Sequence, residues 1–311
     1  MKEQIIHDVV MVGAGPAALT AAIYTTREEI ETVVYEKAIV GGLAATTDWI
    51  DNYPGYAQGV EGLRLADELR EQAERFGTKI EFGTVEKIER SGDTIKLTID
   101  GEEVLARAVL VATGSDHRKL GVPGEEEYLA KGVHYCATCD GAFYKDKRLI
   151  VVGGGNSGVQ EALFLTRFAT HIDLLVRSEL RASEVLLRKL EEAKDKITVH
   201  TNVLVDEIVA ENDVVVGTKI RNKLTDEQRM VNADGIFIFI GLIPNTWFLT
   251  DSDIKLDGQG FIKANTNLET SMPGVFVAGD VREGATMQIA AAVGDGATAA
   301  LKIRQYLESQ D

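Results

Sequence analysis

Two cysteines stand three residues apart in the sequence, Cys136 and Cys139, and Asp140 follows them directly. Thiols at this spacing can close a disulfide within one turn of the chain, and a nearby helix N-terminus or cation can hold one sulfur as the thiolate. A carboxylate at Asp140 can carry the proton that this chemistry moves. The pattern therefore predicts a redox-active pair, with Asp140 as a candidate proton shuttle.

A zinc site is the alternative reading of these cysteines. The chain has two cysteines and five scattered histidines, whereas a structural zinc ion takes four ligands at regular spacings. We therefore expect no metal ion at this position. His134, two residues before Cys136, is interpreted as a surface histidine without a catalytic role.

Two glycine-rich turns share one layout, with a predicted strand before the turn and a predicted helix after it. Strand, turn, helix and second strand are predicted at residues 7–12, 13–18, 19–27 and 31–36, and again at 148–152, 153–158, 159–168 and 171–176. In such a unit the turn lets the backbone approach a pyrophosphate, and the N–H groups and dipole of the helix face the phosphates. One copy is a weak signal, but two copies in this context predict two bound dinucleotides.

The residue that ends each second strand indicates which dinucleotide the turn binds. Glu36 ends the first copy, and a carboxylate there can hydrogen-bond a free ribose 2′-hydroxyl, which FAD and NAD both carry. The corresponding residue of the second copy is Val176, which is followed by Arg177 and Arg181. Guanidinium groups suit a 2′-phosphate and favour NADPH there. Alternatively, the two arginines are solvated surface residues that pair with Glu179.

Composition excludes several classes of partner. The 311 residues include 49 acidic and 33 basic side chains, for a net charge of -16, which disfavours nucleic acid and anionic membrane surfaces. No apolar stretch approaches the roughly 18 to 20 residues that span a bilayer. Residues 1–13 lack the pattern of an export signal. We therefore expect a cytoplasmic protein that binds neither nucleic acid nor membrane.

The elements between and after the two copies indicate how the chain is organised. Antiparallel strands are predicted at 82–99 and 197–222, further strands at 104–114, 235–241 and 274–280, and a long helix at 288–307. The strand at 274–280 delivers the carboxylate of Asp280 at its end. We infer that the C-terminal part returns to complete the first domain, with the second copy inserted between.

On these motifs the chain resembles the bacterial and archaeal low-molecular-weight thioredoxin reductases, of pyridine nucleotide-disulfide oxidoreductase class II, over essentially its whole length. The matching segments are Gly13-Ala14-Gly15-Pro16-Ala17-Ala18, Gly41-Gly42, Asn52-Tyr53-Pro54-Gly55, Ala112-Thr113-Gly114, Cys136-Ala137-Thr138-Cys139-Asp140-Gly141, residues 153–157, Pro244-Asn245-Thr246 and Gly279-Asp280. The stretch at 136–140, lying between two dinucleotide turns, is the most specific of them.

The resemblance implies an α/β fold with two Rossmann-like FAD/NAD(P)-binding domains of the three-layer ββα type, the second inserted in the first. Residues 1–117 and 248–311 would form a discontinuous FAD-binding domain. Residues 118–247 would form an NADPH-binding domain that carries the cysteines. The resemblance also implies a homodimer, and a rotation between domains that alternately presents the cysteines and the nicotinamide to the flavin.

The implied activity is that of an NADPH-dependent thioredoxin-disulfide reductase. Electrons would pass from NADPH through FAD to the cysteine pair, and then to thioredoxin or a thioredoxin-like protein. Cys139 would face the flavin, Cys136 would attack thioredoxin, and Asp140 would be the acid. The FAD-binding residues would be Gly13, Gly15, Pro16, Ala17, Glu36, Lys37, Gly42, Asn52, Ala112, Thr113, Gly114, Gly279, Asp280, Gln288, Ile289 and Ala290. The NADPH-binding residues would be Gly153, Gly155, Asn156, Ser157, Arg177, Arg181, Ile240 and Gly241.

Three segments depart from the family pattern. Leu175-Val176-Arg177 replaces a usual His-Arg-Arg, which removes one arginine from the 2′-phosphate clamp and weakens the preference for NADPH. Met287 replaces an arginine before the last helix, and Leu43 replaces a glutamine after the glycine pair. Four alternatives therefore stay open. They are a reductase of this fold fed by NADH, one fed by reduced ferredoxin or another flavin, an FAD-dependent dithiol oxidase, and a nucleotide-binding redox sensor or scaffold.

Overall fold

The computed structural model describes residues 5–47 and 49–310. Its strands are β1 (Ile6–Val12), β2 (Thr32–Glu36), β3 (Lys79–Phe82), β4 (Val85–Ser91), β5 (Thr94–Ile99), β6 (Glu102–Val111), β7 (Ser115–His117), β8 (Val133–His134), β9 (Arg148–Val152), β10 (His171–Val176), β11 (Ile197–Thr201), β12 (Val203–Glu211), β13 (Val214–Asn222), β14 (Gln228–Asn232), β15 (Gly235–Ile238), β16 (Leu242–Pro244) and β17 (Val275–Val277). Its α-helices are α1 (Pro16–Arg27), α2 (Gly42–Ala45), α3 (Gly62–Arg75), α4 (Ala137–Asp140), α5 (Asn156–Leu165), α6 (Glu184–Glu192) and α7 (Ile289–Glu308). Within the described ranges, no helix has the length and apolar character that crossing a membrane requires.

The chain divides into two compact units, each with its own core. One unit combines the N-terminal part up to residue 116 with the part from 243 onward, and the other is His117–Leu242. The predicted α/β fold, with one Rossmann-like unit inserted in another, is confirmed. The first unit is interrupted after residue 116, one residue before the predicted boundary at 117. The inserted unit ends at residue 242, five residues before the predicted boundary at 247.

The first unit has three layers, and the central strands of its sheet are buried on both faces. The sheet has the order β3-β2-β1-β6-β5-β4, and β17 also pairs with β6. Since side chains alternate along a strand, Val9 and Met11 of β1 pack with α1, α3 and α7, while Val10 and Val12 pack with β4 and β5. The long strand β6 joins the layers, because its first half is antiparallel to β5 and its second half is parallel to β17.

The second unit repeats this construction. Its parallel sheet has the order β11-β10-β9-β15-β8, and β12, β13 and β14 form a separate antiparallel sheet. Leu149 and Val151 of β9 pack with α5 and α6, whereas Ile150 and Val152 pack with the antiparallel sheet. The repeat that the two glycine turns indicated therefore extends to the layers around them.

Several elements differ from the predicted ones in extent. Helix α1 begins at Pro16, inside the predicted turn, because the fixed φ of proline suits the first helical position. The segment predicted as antiparallel strands at 82–99 also includes the end of β3, since Phe82 pairs in parallel with Glu36. Helices α3 and α6 were not predicted. Both are amphipathic, and α3 buries Leu65 and Leu69.

Candidate functional site

A cavity of about 260 Å³ lies beside the first glycine-rich turn. The predicted FAD-binding residues that line it are Gly13, Gly15, Pro16, Ala17, Glu36, Lys37, Gly42, Ala112, Thr113, Gly114, Gly279, Asp280 and Ile289. Asn52, Gln288 and Ala290 are not among the lining residues. The structure nevertheless brings two of them together, because Nδ2 of Asn52 donates to Oε1 of Gln288 at 3.0 Å.

Two glycines of this turn, Gly13 and Gly15, lack a side chain for different reasons. Gly13 has a φ of +93°, and a Cβ there would overlap the carbonyl of Ala112. A larger residue would therefore push the turn away from the end of β6. A Cβ built on Gly15 would have no neighbouring atom within 4 Å, so this glycine borders open space on the cavity side. A pyrophosphate could approach the backbone closely at this point.

Glu36 ties the cavity to the turn. Its Oε2 accepts a hydrogen bond from the N–H of Ala14 at 2.8 Å, and its Oε1 accepts one from the N–H of Ala38 at 2.8 Å. The residue is 8% exposed. Each carboxylate oxygen has a second lone pair, so Glu36 can hold the turn and still accept a ligand hydroxyl.

Asp280 is another carboxyl residue of the cavity lining, three residues after the end of β17. Burial, and then the negative charge of Asp295, raises the pKa of Asp280 to about 6. Asp295 is itself held by the guanidinium of Arg282 at 3.0 Å and by the N–H of Gly279 at 3.2 Å. Asp280 can therefore exchange between donor and acceptor roles toward a ligand hydroxyl near neutral pH.

Asn245 is a cavity residue that was not among the predicted site residues. Its Nδ2 donates to the carbonyl of Thr113 at 3.1 Å, and Thr113 Oγ1 donates to the carbonyl of Asn245 at 2.7 Å. The N–H of Asn245 also donates to the carbonyl of Gly114 at 3.0 Å. Asn245 lies in Pro244-Asn245-Thr246, one of the segments that match the family pattern, and this match could have identified it. Nothing local in that segment indicates a partner 132 positions away.

Cys136 and Cys139 are joined by a disulfide, with Cα atoms 5.3 Å apart. Cys136 caps the single turn of α4, and the N–H of Cys139 donates to its Sγ at 3.2 Å. Both cysteines are partly exposed. When the bond opens, this N–H stabilises negative charge on the Cys136 sulfur, which is the property required of a nucleophilic thiolate.

The interpretation of His134 as a surface residue is wrong. The side chain is 7% exposed, and its Nδ1 lies 3.3 Å from Oδ2 of Asp140. Its Nε2 lies 2.6 Å from the hydroxyl of Tyr144, and its ring stacks on Phe237. The cause is tertiary, since β8 pairs with β15 and places His134 opposite Phe237 in register.

The second glycine-rich turn has the same backbone features as the first. Gly153 has a φ of +148°, and a Cβ there would overlap the carbonyl of Phe239. A Cβ on Gly155 would again meet no atom within 4 Å. Val176 is 2% exposed, and its side chain occupies the space next to Gly154. Val176 therefore takes the place that Glu36 has beside Ala14, without a carboxylate.

The remaining predicted NADPH-binding residues surround this turn in different ways. The N–H of Arg181 donates to the carbonyl of Gly154 at 2.7 Å, which anchors Arg181 beside the turn. Asn156, at the start of α5, accepts from the N–H of Ser183 at 2.8 Å. Arg177 and Arg181 are exposed, and among the described residues no ion pair of either side chain is observed. The alternative pairing with Glu179 is not observed. Ser157 lies in α5, and Ile240 and Gly241 follow β15.

The chain is similar over nearly its whole length to known proteins of one family. Residues 7–296 match the model of the family described as pyridine nucleotide-disulphide oxidoreductase. The thioredoxin reductase of Bacillus subtilis is 38% identical over 308 residues, which cover 99% of this chain and 97% of that relative. The thioredoxin reductase of Mycolicibacterium smegmatis is 39% identical over 99% of both chains. The crystal structure of thioredoxin reductase from Streptococcus pyogenes matches with a TM-score of 0.92 at 39% identity, covering 99% of this chain and 100% of that one.

Proposed function

Because the chain belongs to the pyridine nucleotide-disulphide oxidoreductase family, we propose that it is a thioredoxin-disulfide reductase. The observation that carries this conclusion is the Cys136–Cys139 disulfide on a short helix of the inserted unit. The test is NADPH oxidation by the purified protein with a thioredoxin disulfide as acceptor. Turnover that depends on thioredoxin supports the proposal, and flavin reduction without any transfer to a protein disulfide contradicts it.

The enzyme uses FAD and NADPH. When bound, FAD accepts a hydride equivalent from NADPH and passes two electrons to a disulfide. We assign FAD to the first unit, because Gly15 borders open space while Glu36 and Asp280 line one cavity. Glu36 would accept the adenosine ribose hydroxyl, and Asp280 would face a hydroxyl of the ribityl chain. NADPH is assigned to the second unit, where Gly155 also borders open space.

The cysteines and Asp140 carry out the disulfide exchange. Asp140 supplies a proton to one sulfur when the Cys136–Cys139 bond opens. The Cys136 thiolate, stabilised by the N–H of Cys139, then attacks the disulfide of thioredoxin and forms a mixed disulfide. Attack by Cys139 on Cys136 releases reduced thioredoxin and restores the intramolecular disulfide.

The environment of Asp280 leads to a prediction for protein from which FAD has been removed. Because the folded-state pKa is about 6, above the ordinary 3.8, ionised Asp280 destabilises the fold, and the penalty grows as pH rises through that interval. Asp280→Asn should therefore raise the free energy of unfolding. The gain should be about 1 to 2 kcal/mol larger at roughly pH 7.5 than at roughly pH 5. Urea unfolding at both pH values measures it.

Asp251→Asn is the matched control, since Asp251 is an exposed carboxyl group of the same unit. It should change the unfolding free energy equally at both pH values. A stabilisation by Asp280→Asn that does not vary with pH would contradict the assigned origin of the effect.

We also propose that the enzyme is a homodimer and acts in the cytoplasm. Large apolar side chains are exposed on the first unit, among them Leu63 at 53% and Phe82 at 71%, and a second copy could cover such surfaces. A dithiol that cycles between oxidised and reduced states suits a compartment with a reducing nucleotide supply. Light scattering on a sizing column should give twice the monomer mass of 33.8 kDa, and a monomer mass contradicts the dimer.

A further inference from the structure

His134 connects the acid of the redox pair to a buried aromatic cluster in the second unit. Its Nδ1 lies 3.3 Å from Oδ2 of Asp140, and its Nε2 lies 2.6 Å from the hydroxyl of Tyr144. The ring stacks on Phe237, with centroids 5.0 Å apart. His134 is 7% exposed, whereas Asp140 is 27% exposed. The imidazole is thus held on three sides, while the carboxyl group that it contacts reaches solvent.

Tyr144 determines which nitrogen of His134 carries the hydrogen. Burial, followed by the negative charges of Asp140 and Asp234, raises the pKa of Tyr144 to about 12. The phenol therefore keeps its proton at neutral pH and can donate it to Nε2 of His134. The ring hydrogen is then on Nδ1, which faces Asp140.

The packing around Tyr144 holds the phenol in place. A Cβ on Gly235 would overlap its ring, so the absence of a side chain there makes room for the tyrosine. The ring also meets Phe237 edge-on, with centroids 5.6 Å apart. A fixed phenol keeps the imidazole in one tautomer and one orientation.

We propose that His134 is the positioning residue for proton transfer by Asp140, an inference that rests on the proposed function. Its Nδ1, 3.3 Å from Oδ2 of Asp140, restrains that oxygen and leaves the other oxygen to exchange a proton with a cysteine sulfur. When the Cys136–Cys139 bond opens, it takes up two electrons that originate in the NADPH hydride. One sulfur remains a thiolate, and the other receives the proton of Asp140. The proton of the hydride is released to solvent, from which Asp140 is protonated again.

Three substitutions distinguish the contributions of the two ring nitrogens of His134. His134→Phe keeps a ring against Phe237 but has no nitrogen, His134→Asn keeps an amide near Nδ1, and His134→Gln keeps one near Nε2. Each oxidised, FAD-loaded enzyme is mixed anaerobically with NADPH and quenched with acid at successive times. The free thiols are then alkylated and counted, which gives the rate at which the internal disulfide opens.

His134→Phe should slow opening of the disulfide by about 10- to 100-fold, which is at or below the low end of the range for acid–base catalysis because Asp140 itself remains. His134→Asn should return the rate to within about fivefold of the parent, and His134→Gln should stay as slow as His134→Phe. In an Asp140→Asn background, His134→Phe should cost no more than about twofold, because the group that it positions is gone. A purely structural role would give additive losses.

NADPH oxidation with an artificial acceptor uses neither the cysteines nor Asp140, and it reports whether each variant is folded and binds both cofactors. It should stay within about twofold of the parent in the three variants that change only His134. Equal slowing by His134→Phe and His134→Asn, or a full further loss in the Asp140→Asn background, would overturn the proposal.

Tyr144→Phe provides a second route if His134→Phe does not fold, since it removes one oxygen atom. It should slow disulfide opening by about two- to tenfold, and an unchanged rate would contradict the role of His134. The thiol count needs no partner protein. A parent enzyme that opens its disulfide but does not reduce thioredoxin would therefore contradict the proposed partner, not the role of His134.

Discussion

Replacing Cys136 or Cys139 by serine is expected to lower the reduction of thioredoxin by roughly a thousandfold or more. The two sulfurs are bonded to each other, so each is needed to store the electrons that pass to the substrate. A serine hydroxyl can neither form the mixed disulfide nor resolve it. Steady-state turnover with thioredoxin disulfide measures the loss.

The same variants should keep NADPH oxidation by an artificial acceptor within about threefold of the parent, because hydride reaches the flavin before either sulfur is used. The visible flavin spectrum shows that each variant is loaded. Loss of both activities in a folded, flavin-containing Cys136→Ser enzyme would contradict this order of electron transfer. Persistence of thioredoxin reduction in either variant would contradict the assignment of the redox centre.

The simultaneous change of Arg177 and Arg181 to alanine should raise KM for NADPH by roughly ten- to a few-hundredfold. This corresponds to about 1.5 to 3 kcal/mol for charge-assisted contacts at a partly exposed site. Both residues are exposed, and the backbone N–H of Arg181 anchors that residue beside the second turn through the carbonyl of Gly154. KM for NADH, which lacks the 2′-phosphate, should hardly change. Kinetics with both nucleotides at one ionic strength test this, since salt screens phosphate contacts.

Arg188 and Lys189 supply the control for charge alone. Both are exposed on α6, so their double alanine variant removes the same charge from the same unit. It should shift KM for NADPH by less than about twofold. Equal losses for NADH and NADPH in the Arg177 and Arg181 variant would contradict a 2′-phosphate contact. No flavin reduction by either nucleotide in the parent would favour a ferredoxin-type donor.

Val176 limits how strongly the unmodified enzyme separates the two nucleotides. The position faces the turn, as Glu36 does in the first unit, but the valine supplies neither a carboxylate for a ribose hydroxyl nor a cation for a phosphate. We therefore expect the ratio of kcat/KM for NADPH over NADH to be smaller than in relatives with a full arginine clamp. The same kinetic series measures this ratio in the parent enzyme.

The sequence alone determined the parts of the site that depend on residues close together in the chain. The cysteine spacing confines the disulfide to one turn, and Gly13 and Gly153 stand where only glycine fits both the backbone angle and the neighbouring carbonyl. Glu36 follows from the same logic, because a residue at the end of β2 lies beside the turn that follows β1. These relations span one βαβ unit, so the order of residue types along the chain suffices to predict them.

Tertiary structure alone decided the contacts that join distant segments. Asn52 meets Gln288, Asn245 binds the backbone of Thr113, and Tyr144 and Phe237 enclose His134. Each contact depends on the register between strands or on the packing of one layer against another. A side chain carries no local mark of its partner across the fold. The surface interpretation of His134 was wrong for this reason, because the pairing of β8 with β15 buries the residue.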